Sequence, residues 1–204
     1  MPSSRTAGLL LPLAIAAFAK LAFAAQELSL PEGVSLATPP RAIVDFTLTD
    51  QNGKPWRFSQ LRGHPALIFF GFAHCADVCP NTLLELRQLQ KAAPRELAAL
   101  RVVMVSVDGE RDTPAVLKTY LASFSPRFIG LTGAPPGVAQ IAAQFPAVFF
   151  KGIPPSPGAD YTVQHSPAVY GVDAQGRVRL QFTNAAVVSM INAMRSLQTS
   201  RPGA

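Results

Sequence analysis

Two stretches of the chain are apolar at almost every position, as in strands that are buried on both faces of a sheet. They are PALIFFGF (65–72) and RVVMVSVD (101–108). The stretch NTLLELRQLQKAA (81–93) between them repeats leucine at helical spacing, which predicts an amphipathic helix. A second helix is predicted over TPAVLKTYLASF (113–124), because Thr113 is a good N-cap and a proline follows it.

The alternation of strands and helices continues to the C-terminus. Successive segments predict a short helix, a strand, a turn with a second strand, and a last helix capped by Asn184. They are GVAQIAAQF (137–145), SPAVYGVD (166–173), RVRLQF (177–182) and NAAVVSMINAMRSLQ (184–198). Upstream, an Asn-Gly turn signal within 43–58 predicts a β-hairpin. The whole pattern predicts an α/β fold, with a central mixed sheet flanked by helices and an N-terminal β-hairpin.

The first 41 residues do not follow this pattern. Arg5 precedes an uncharged apolar stretch of signal-peptide length, and an Ala-Phe-Ala sequence offers small residues where a signal peptidase cleaves. We therefore interpret residues 1–25 as a signal peptide, with an uncleaved membrane anchor as the alternative that Lys20 disfavours. The Pro-rich residues 26–41 are interpreted as a linker or extended arm, which leaves 42–200 as one folded domain.

Composition and charge narrow the class of protein. Of the 204 residues, 49% are hydrophobic and 15% are charged, as expected of a globular chain rather than a disordered one. The formal net charge is +6, but the lysines and arginines are scattered, so we expect no nucleic-acid partner. The N-terminal segment, cleaved or kept, places the domain outside the cytoplasm. We expect it in the periplasm, or anchored to a membrane and facing the periplasm, where cysteines meet an oxidising environment.

The only two cysteines, Cys75 and Cys79, lie where a predicted buried strand ends and a helix begins. A helix N-terminus carries partial positive charge, so we expect it to lower the pKa of both thiols. If the turn between them is helical, their spacing of four residues places both sulfurs on one side, where they can share a metal ion. A disulfide, structural or catalytic, remains an alternative at this spacing.

A metal site at two sulfurs needs a further ligand, and the chain has three histidines. Soft thiolates select Cu(I) and also bind zinc. His64 precedes a proline and is interpreted as a surface residue. His74, next to Cys75, could tune the pKa of that thiol, serve as an auxiliary ligand, or be an ordinary surface residue. His165 is distant in sequence but adjoins a predicted strand, and a lone histidine is more often structural than a ligand.

Four ordered motifs carry a family resemblance. They are GFAHCADVCPNTLLEL (71–86), VSVDGERDTPAVLKTYL (105–121), FIGLTG (128–133) and VQHSPAVYGVDAQGRV (163–178). Together they resemble the Sco/SenC family of thioredoxin-like copper chaperones over nearly all of the domain. The resemblance implies a thioredoxin-like fold and copper, as Cu(I), Cu(II) or both, bound by two cysteines and a distal histidine. It also implies a role in building the CuA centre of cytochrome c oxidase.

Matched to this chain, the implied copper ligands are Cys75, Cys79 and His165. Two thiolates and one imidazole suit Cu(I), whereas Cu(II) favours an added ligand such as water or a nearby carboxylate. Asp77 and Asp108 are candidates for a supporting role just outside these ligands. Their alternatives are a helix N-cap for Asp77 and ordering of a loop for Asp108.

Two functions follow, and whether the protein is an enzyme depends on which holds. The first is a copper chaperone that delivers one ion to an oxidase subunit carrying CuA or to another cuproprotein, with another copper chaperone or a thiol reductant as further partners. The alternative is a thiol–disulfide oxidoreductase in which Cys75 attacks and Cys79 resolves. Reductases of the thioredoxin type place a cis-proline opposite their cysteines, so we also predict a cis bond between Ser166 and Pro167.

Overall fold

The computed structural model describes residues 30–95, 97–154, 156 and 161–199. The strands are β1 Val34–Ala42, β2 Thr47–Asp50, β3 Pro55–Arg57, β4 Ala66–Gly71, β5 Arg101–Ser106, β6 Ile129–Thr132, β7 Phe149–Lys151, β8 Val163–His165, β9 Val169–Val172 and β10 Arg177–Phe182. The α-helices are α1 Val78–Ala92, α2 Pro114–Ala122, α3 Pro135–Gln144 and α4 Val187–Thr199, and a short 3₁₀ helix spans Phe58–Leu61.

Eight of the strands form one mixed sheet in the order β1-β10-β9-β4-β5-β6-β2-β3. The central strands β4, β5 and β6 run parallel, and their neighbours are antiparallel. Alternate residues of β4 enter separate cores on the two faces, with Ile68 and Phe70 in one and Leu67 and Phe69 in the other. The predicted α/β class, with a mixed sheet flanked by helices and an N-terminal hairpin (β2 with β3), is confirmed.

The N-terminal boundary of the sheet differs from the prediction. The segment interpreted as a linker or extended arm contributes its residues from Val34 onwards to β1, which pairs antiparallel with β10 at the sheet edge. Its prolines hid it from sequence reasoning, and an edge strand tolerates proline because one side of its backbone is unpaired. The expected signal peptide, 1–25, lies outside the described residues. Among the residues that are described, no helix is long and apolar enough to cross a membrane.

The two predicted helix caps have different outcomes. Thr113 caps α2 as predicted, because its hydroxyl oxygen accepts a hydrogen bond from the Val116 N–H at 3.3 Å. The prediction for Asn184 is wrong. Asn184 has a positive φ of 53°, and α4 begins three residues later, at Val187. Asparagine tolerates the left-handed conformation better than most residues, so here it forms a turn between β10 and the helix.

Candidate metal centre

Three potential metal ligands from two distant parts of the chain meet beside the end of β4. The His165 Nε2 atom lies 3.4 Å from Cys79 Sγ and 3.9 Å from Cys75 Sγ, and the three atoms all lie within 4.8 Å of one another. The start of α1 supplies the buried cysteine, the loop before it supplies the other, and the end of β8 supplies the histidine. The structure therefore brings together the three residues that the sequence singled out.

The cysteines do not share a helical turn. Cys79 is the second residue of α1 and is fully buried, whereas Cys75 lies in the preceding loop and is half-buried. The Cys79 N–H donates to Cys75 Sγ at 3.4 Å. It is one of the first N–H groups of the helix, which have no partner within the helix itself. The strand-to-helix junction thus gathers both sulfurs even though only one belongs to the helix.

The expectation that the helix lowers both thiol pKa values is wrong for Cys79. Burial is the largest cause of a strongly raised pKa there, and the nearby Cys75 and Asp112 raise it further. Desolvation disfavours the thiolate more than the helix N-terminus favours it. At neutral pH the Cys79 thiol therefore carries its proton until a metal or another electrophile displaces it.

Gly71 makes room for the buried sulfur. A Cβ atom at this position would lie 2.7 Å from Cys79 Sγ, closer than real contacts allow. The absence of a side chain at the last residue of β4 therefore lets the first turn of α1 pack directly against the strand. This close approach fixes where the Cys79 sulfur lies.

His165 presents its Nε2 atom to the sulfurs because its other ring nitrogen is engaged. Nδ1 lies 3.1 Å from the carbonyl oxygen of Ser166, an acceptor, which assigns the proton to Nδ1 and a lone pair to Nε2. Burial lowers the pKa of His165, so the neutral imidazole is favoured. The Phe72 ring meets the imidazole edge-on, with 5.7 Å between the ring centroids. The histidine is thus oriented and neutral, as a metal ligand needs to be.

The predicted cis bond between Ser166 and Pro167 is wrong, because the bond is trans. The Ser166 N–H donates to the Val148 carbonyl at 2.8 Å, so strand-like pairing continues past His165 and keeps the chain extended. A trans bond before proline is also favoured intrinsically by about 0.5–1 kcal/mol. The feature that linked this chain to reductases of the thioredoxin type is therefore absent at this bond.

The two candidate carboxylates lie outside this group of ligands. Asp77 is exposed at the N-cap position of α1 but makes no capping bond, and its side chain accepts from the Asn81 amide at 2.7 Å. Asp108 is buried, with one oxygen bonded to Arg111 and the other to the hydroxyl of Tyr161. Asp108 therefore orders the loop, which was the alternative interpretation of this residue.

The other two histidines have separate environments. His64, interpreted as a surface residue, is half-buried in the turn before β4. His74 is exposed and forms a second group of potential ligands with Asp108 and Asp112. Because the oxygens of Asp108 already bind Arg111 and a tyrosine hydroxyl, this second group is better described as a polar network than as a metal site.

Sequence reasoning missed three residues of that network: Arg111, Asp112 and Tyr161. Asp112 is fully buried, and its Oδ2 atom accepts from the Ala73 N–H at 2.9 Å. The segment DGERD carried a signal, since it places two aspartates directly after a predicted buried strand, and a carboxylate that is buried there must find hydrogen-bond partners. Nothing in the local pattern indicated a partner for Tyr161.

The chemistry of the donor set fits copper better than a hard cation. Two sulfurs and one imidazole nitrogen are soft or borderline ligands, which select Cu(I) and zinc, whereas magnesium and calcium need several oxygens. Three converging ligands also leave one side of the site available to an incoming ligand. Both thiols are free, so disulfide chemistry remains open to the same pair.

The chain is similar to proteins of one family. The SCO1/SenC family model matches residues 35–198. An SCO2-like protein of Rickettsia felis is 34% identical over 138 residues, which cover 68% of this chain and 67% of that protein. The solved structure of Bradyrhizobium japonicum ScoI with copper bound is 37% identical with a TM-score of 0.67, and the match covers 77% of this chain and 98% of that one. The solved structure of BsSco is 26% identical with a TM-score of 0.64, and the match covers 79% of this chain and 96% of that one. BsSco is a member of the Sco family of cytochrome c oxidase assembly proteins, and a disulfide switch was identified in it.

Proposed function

Because the chain belongs to the SCO1/SenC family, a family of copper-binding proteins with a thioredoxin-like fold, we propose that it is a copper metallochaperone. It binds one copper ion through Cys75, Cys79 and His165. The observation that carries the proposal is the convergence of both sulfurs on the Nε2 atom of His165. Copper is bound by the similar ScoI, and this donor set has the softness that Cu(I) requires.

The two cysteines have different parts in delivery. Cys79 is buried, so it holds the ion from the protein side, whereas the half-buried Cys75 can be reached by a ligand of the acceptor. His165 lies on a small hairpin and is also half-buried. Delivery by ligand exchange starts at such accessible ligands, so we infer that Cys75 and His165 are replaced before Cys79.

The acceptor is an extracytoplasmic cuproprotein, and the subunit of cytochrome c oxidase that carries CuA is the one we propose. BsSco is described as belonging to cytochrome c oxidase assembly proteins, which supports this choice. The apolar N-terminal segment of the sequence supports a location outside the cytoplasm, with membrane contact only through that segment. Another copper chaperone would supply the ion, and a thiol reductant would keep the cysteines reduced.

A second function, thiol–disulfide exchange, is favoured by the N–H of Cys79 that faces Cys75 Sγ at 3.4 Å. The Cys75 thiolate would attack a disulfide of the target and form a mixed disulfide, releasing one target thiolate that takes up a proton. The Cys79 sulfur would then lose its proton, attack Cys75 Sγ and release the second target thiol. The target disulfide gains two electrons, and the pair in this protein is oxidised to a disulfide.

Copper titration of the reduced protein separates the two functions. We expect His165→Ala to weaken Cu(I) binding in competition with a chelator, because one of three ligands is lost, and to leave reduction of a model disulfide unchanged. His64→Ala is the matched control and should bind copper as the wild type does. Unchanged copper affinity in His165→Ala, with disulfide reduction retained, would contradict the chaperone and favour the oxidoreductase.

A further inference from the structure

The hairpin that carries His165 is a separate element. Strands β7 and β8, here called the histidine hairpin, form a two-stranded sheet with three residue pairs, from Phe149 opposite His165 to Lys151 opposite Val163. An isolated pair of strands this short is marginally stable at best. Its position relative to the cysteines therefore depends on side-chain contacts with the rest of the protein.

Tyr161, four residues before His165, makes such contacts. Its hydroxyl donates to Asp108 Oδ1 at 2.5 Å, and the guanidinium carbon of Arg111 lies 3.9 Å from the centroid of its ring. The Lys151 Nζ atom, on β7 of the hairpin itself, lies 3.7 Å from the same centroid, so a second cation–π contact links Tyr161 to the hairpin. Burial, followed by the bond to Asp108, raises the pKa of Tyr161 to about 12, so the hydroxyl keeps its proton at neutral pH.

The turn that contains Asp108, the partner of Tyr161, is also bonded to the loop that carries Cys75. It follows β5, begins at the buried Asp108 and ends at the buried Asp112. The Asp112 carboxylate accepts from the N–H of Ala73, two residues before Cys75, at 2.9 Å. One turn therefore contacts the loop between β4 and α1 (residues 72–77, here called the cysteine loop) through Asp112. Through Asp108 it contacts Tyr161, which lies just before the second strand of the histidine hairpin.

Aromatic packing connects the same partners. The Phe72 ring lies edge-on to His165 at 5.7 Å, and the guanidinium carbon of Arg111 lies 6.0 Å from the centroid of the Phe72 ring. Arg111 thus lies near Phe72, at the start of the cysteine loop, and near Tyr161, next to the histidine hairpin. Loss of the Tyr161 ring would remove the ring contact of Arg111 on the hairpin side, whereas the hydrogen bond that Arg111 donates to the Tyr161 carbonyl oxygen at 3.3 Å would remain.

We propose that Tyr161 is a positioning residue for His165. Its bond to Asp108 and its packing against Arg111 hold the histidine hairpin where the imidazole can reach both sulfurs. The inference rests on the proposed copper site. In the proposed role, Tyr161 does not bind the metal itself. It acts by fixing the position of His165.

The test compares Tyr161→Phe, which removes only the hydroxyl, with Tyr161→Ala, which removes the ring. Thr162→Ala is the matched control, since Thr162 is the exposed next residue. Cu(I) affinity is measured on the reduced full chain by chelator competition. We expect Tyr161→Ala to lose about tenfold to hundredfold, as is typical when a residue that orients a ligand is removed, Tyr161→Phe to lose less, and Thr162→Ala to match the wild type.

Two further readouts separate positioning from general destabilisation. In the Cu(II)-loaded protein, Tyr161→Ala should weaken the imidazole nitrogen coupling in electron paramagnetic resonance while the sulfur-to-copper absorption persists. In a His165→Ala background, Tyr161→Ala should cause no further loss of copper affinity, because the ligand it positions is already gone.

The possible failures are distinct. Wild-type affinity and nitrogen coupling in Tyr161→Ala would overturn this inference and leave the copper site standing. An equal loss of affinity with and without His165 would also overturn it, because Tyr161 would then support the fold as a whole. A wild-type protein without any nitrogen coupling from His165 would overturn the proposed ligand set, and this inference with it.

Discussion

The two halves of the candidate metal centre are built in opposite ways. The sulfurs lie at the junction of β4 and α1, where Gly71 is pressed against the fully buried Cys79 and the strand runs through the middle of an eight-stranded sheet. The imidazole lies on the histidine hairpin, a separate sheet of three residue pairs whose Phe150 is more than half exposed. One half belongs to the core, and the other is attached to it by side chains.

This difference suits the proposed function, in which the protein holds a copper ion and then releases it to an acceptor. A buried strand–helix junction keeps two ligands in fixed positions, because packed interiors resist displacement. A hairpin whose strand residues are all partly buried or exposed, with Phe149 and Val163 packed against the core, opens at a lower cost in free energy than the buried junction does. We therefore expect changes in the cysteine half to abolish binding and changes in the histidine half to tune it.

The largest expected effect is at the buried sulfur. Cys79→Ser replaces a soft ligand with a hydroxyl inside the core, so we expect loss of Cu(I) affinity beyond the tenfold to hundredfold range typical of residues that only orient a ligand. Chelator competition measures the loss. The His165→Ala protein should retain more affinity than Cys79→Ser, and the reverse order would contradict the division between the two halves.

Gly71→Ala tests the rigidity of the cysteine half without changing a ligand. The added methyl group would lie 2.7 Å from Cys79 Sγ, so we expect a loss of about 1–3 kcal/mol in the free energy of unfolding, and weaker copper binding. Gly137→Ala in α3 is the matched control, because a Cβ atom there meets nothing within 4 Å. It should stabilise the protein by roughly 0.5–1 kcal/mol, and urea unfolding gives both values. Equal stability of the two variants would show that the junction accommodates the added methyl group, and would contradict its rigidity.

The pH dependence of copper binding should come from the cysteine half. Burial raises the pKa of the Cys79 thiol, so binding as a thiolate releases a proton, and Cu(I) affinity should rise with pH by up to about tenfold per unit for each proton released. His165, whose pKa is lowered by burial, is already neutral between about pH 7 and 8 and adds no slope there. Affinity measured across this range should therefore show the same slope in the wild type and in His165→Ala. A flatter slope in the variant would assign the proton to the histidine instead.

The smallest expected effect is at the exposed rim of the histidine hairpin. Lys151 pairs with Glu110 at 2.6 Å, but both side chains are about half exposed, at 46% and 56%. Lys151→Ala should therefore change the free energy of unfolding by less than about 1 kcal/mol and copper affinity by less than Tyr161→Ala does. Thermal unfolding and chelator competition check this order. A larger loss than in Tyr161→Ala would place the main attachment of the hairpin at Lys151.

The elements around the two cysteines were also the ones that the sequence predicted best. Strands β4 and β5 were recognisable because they are continuous apolar runs, and α2 because Thr113 precedes a proline. Strand β1 was missed because its residues are mostly exposed and include prolines. The histidine hairpin was missed because three-residue strands give no periodic signal.

The candidate site divides in the same way. The position of the two cysteines at a strand–helix junction followed from local patterns, whereas His165 was singled out through the family resemblance. The polar contacts that attach the hairpin and the cysteine loop to the turn after β5 were not predictable. Tyr161 and Asp108 are 53 positions apart, and Ala73 and Asp112 are 39 apart, so no local pattern pairs them. The raised pKa of Cys79 was missed because burial of a particular sulfur is decided by tertiary packing.

X-ray absorption at the copper edge tests the central claim most directly. The reduced protein is loaded without oxygen with one equivalent of Cu(I), and the sulfur and nitrogen ligands are counted in the wild type and in His165→Ala. Our account predicts two sulfurs and one imidazole nitrogen in the wild type and loss of the nitrogen in the variant. A wild-type site with two sulfurs alone, or a nitrogen that persists in His165→Ala, would contradict it.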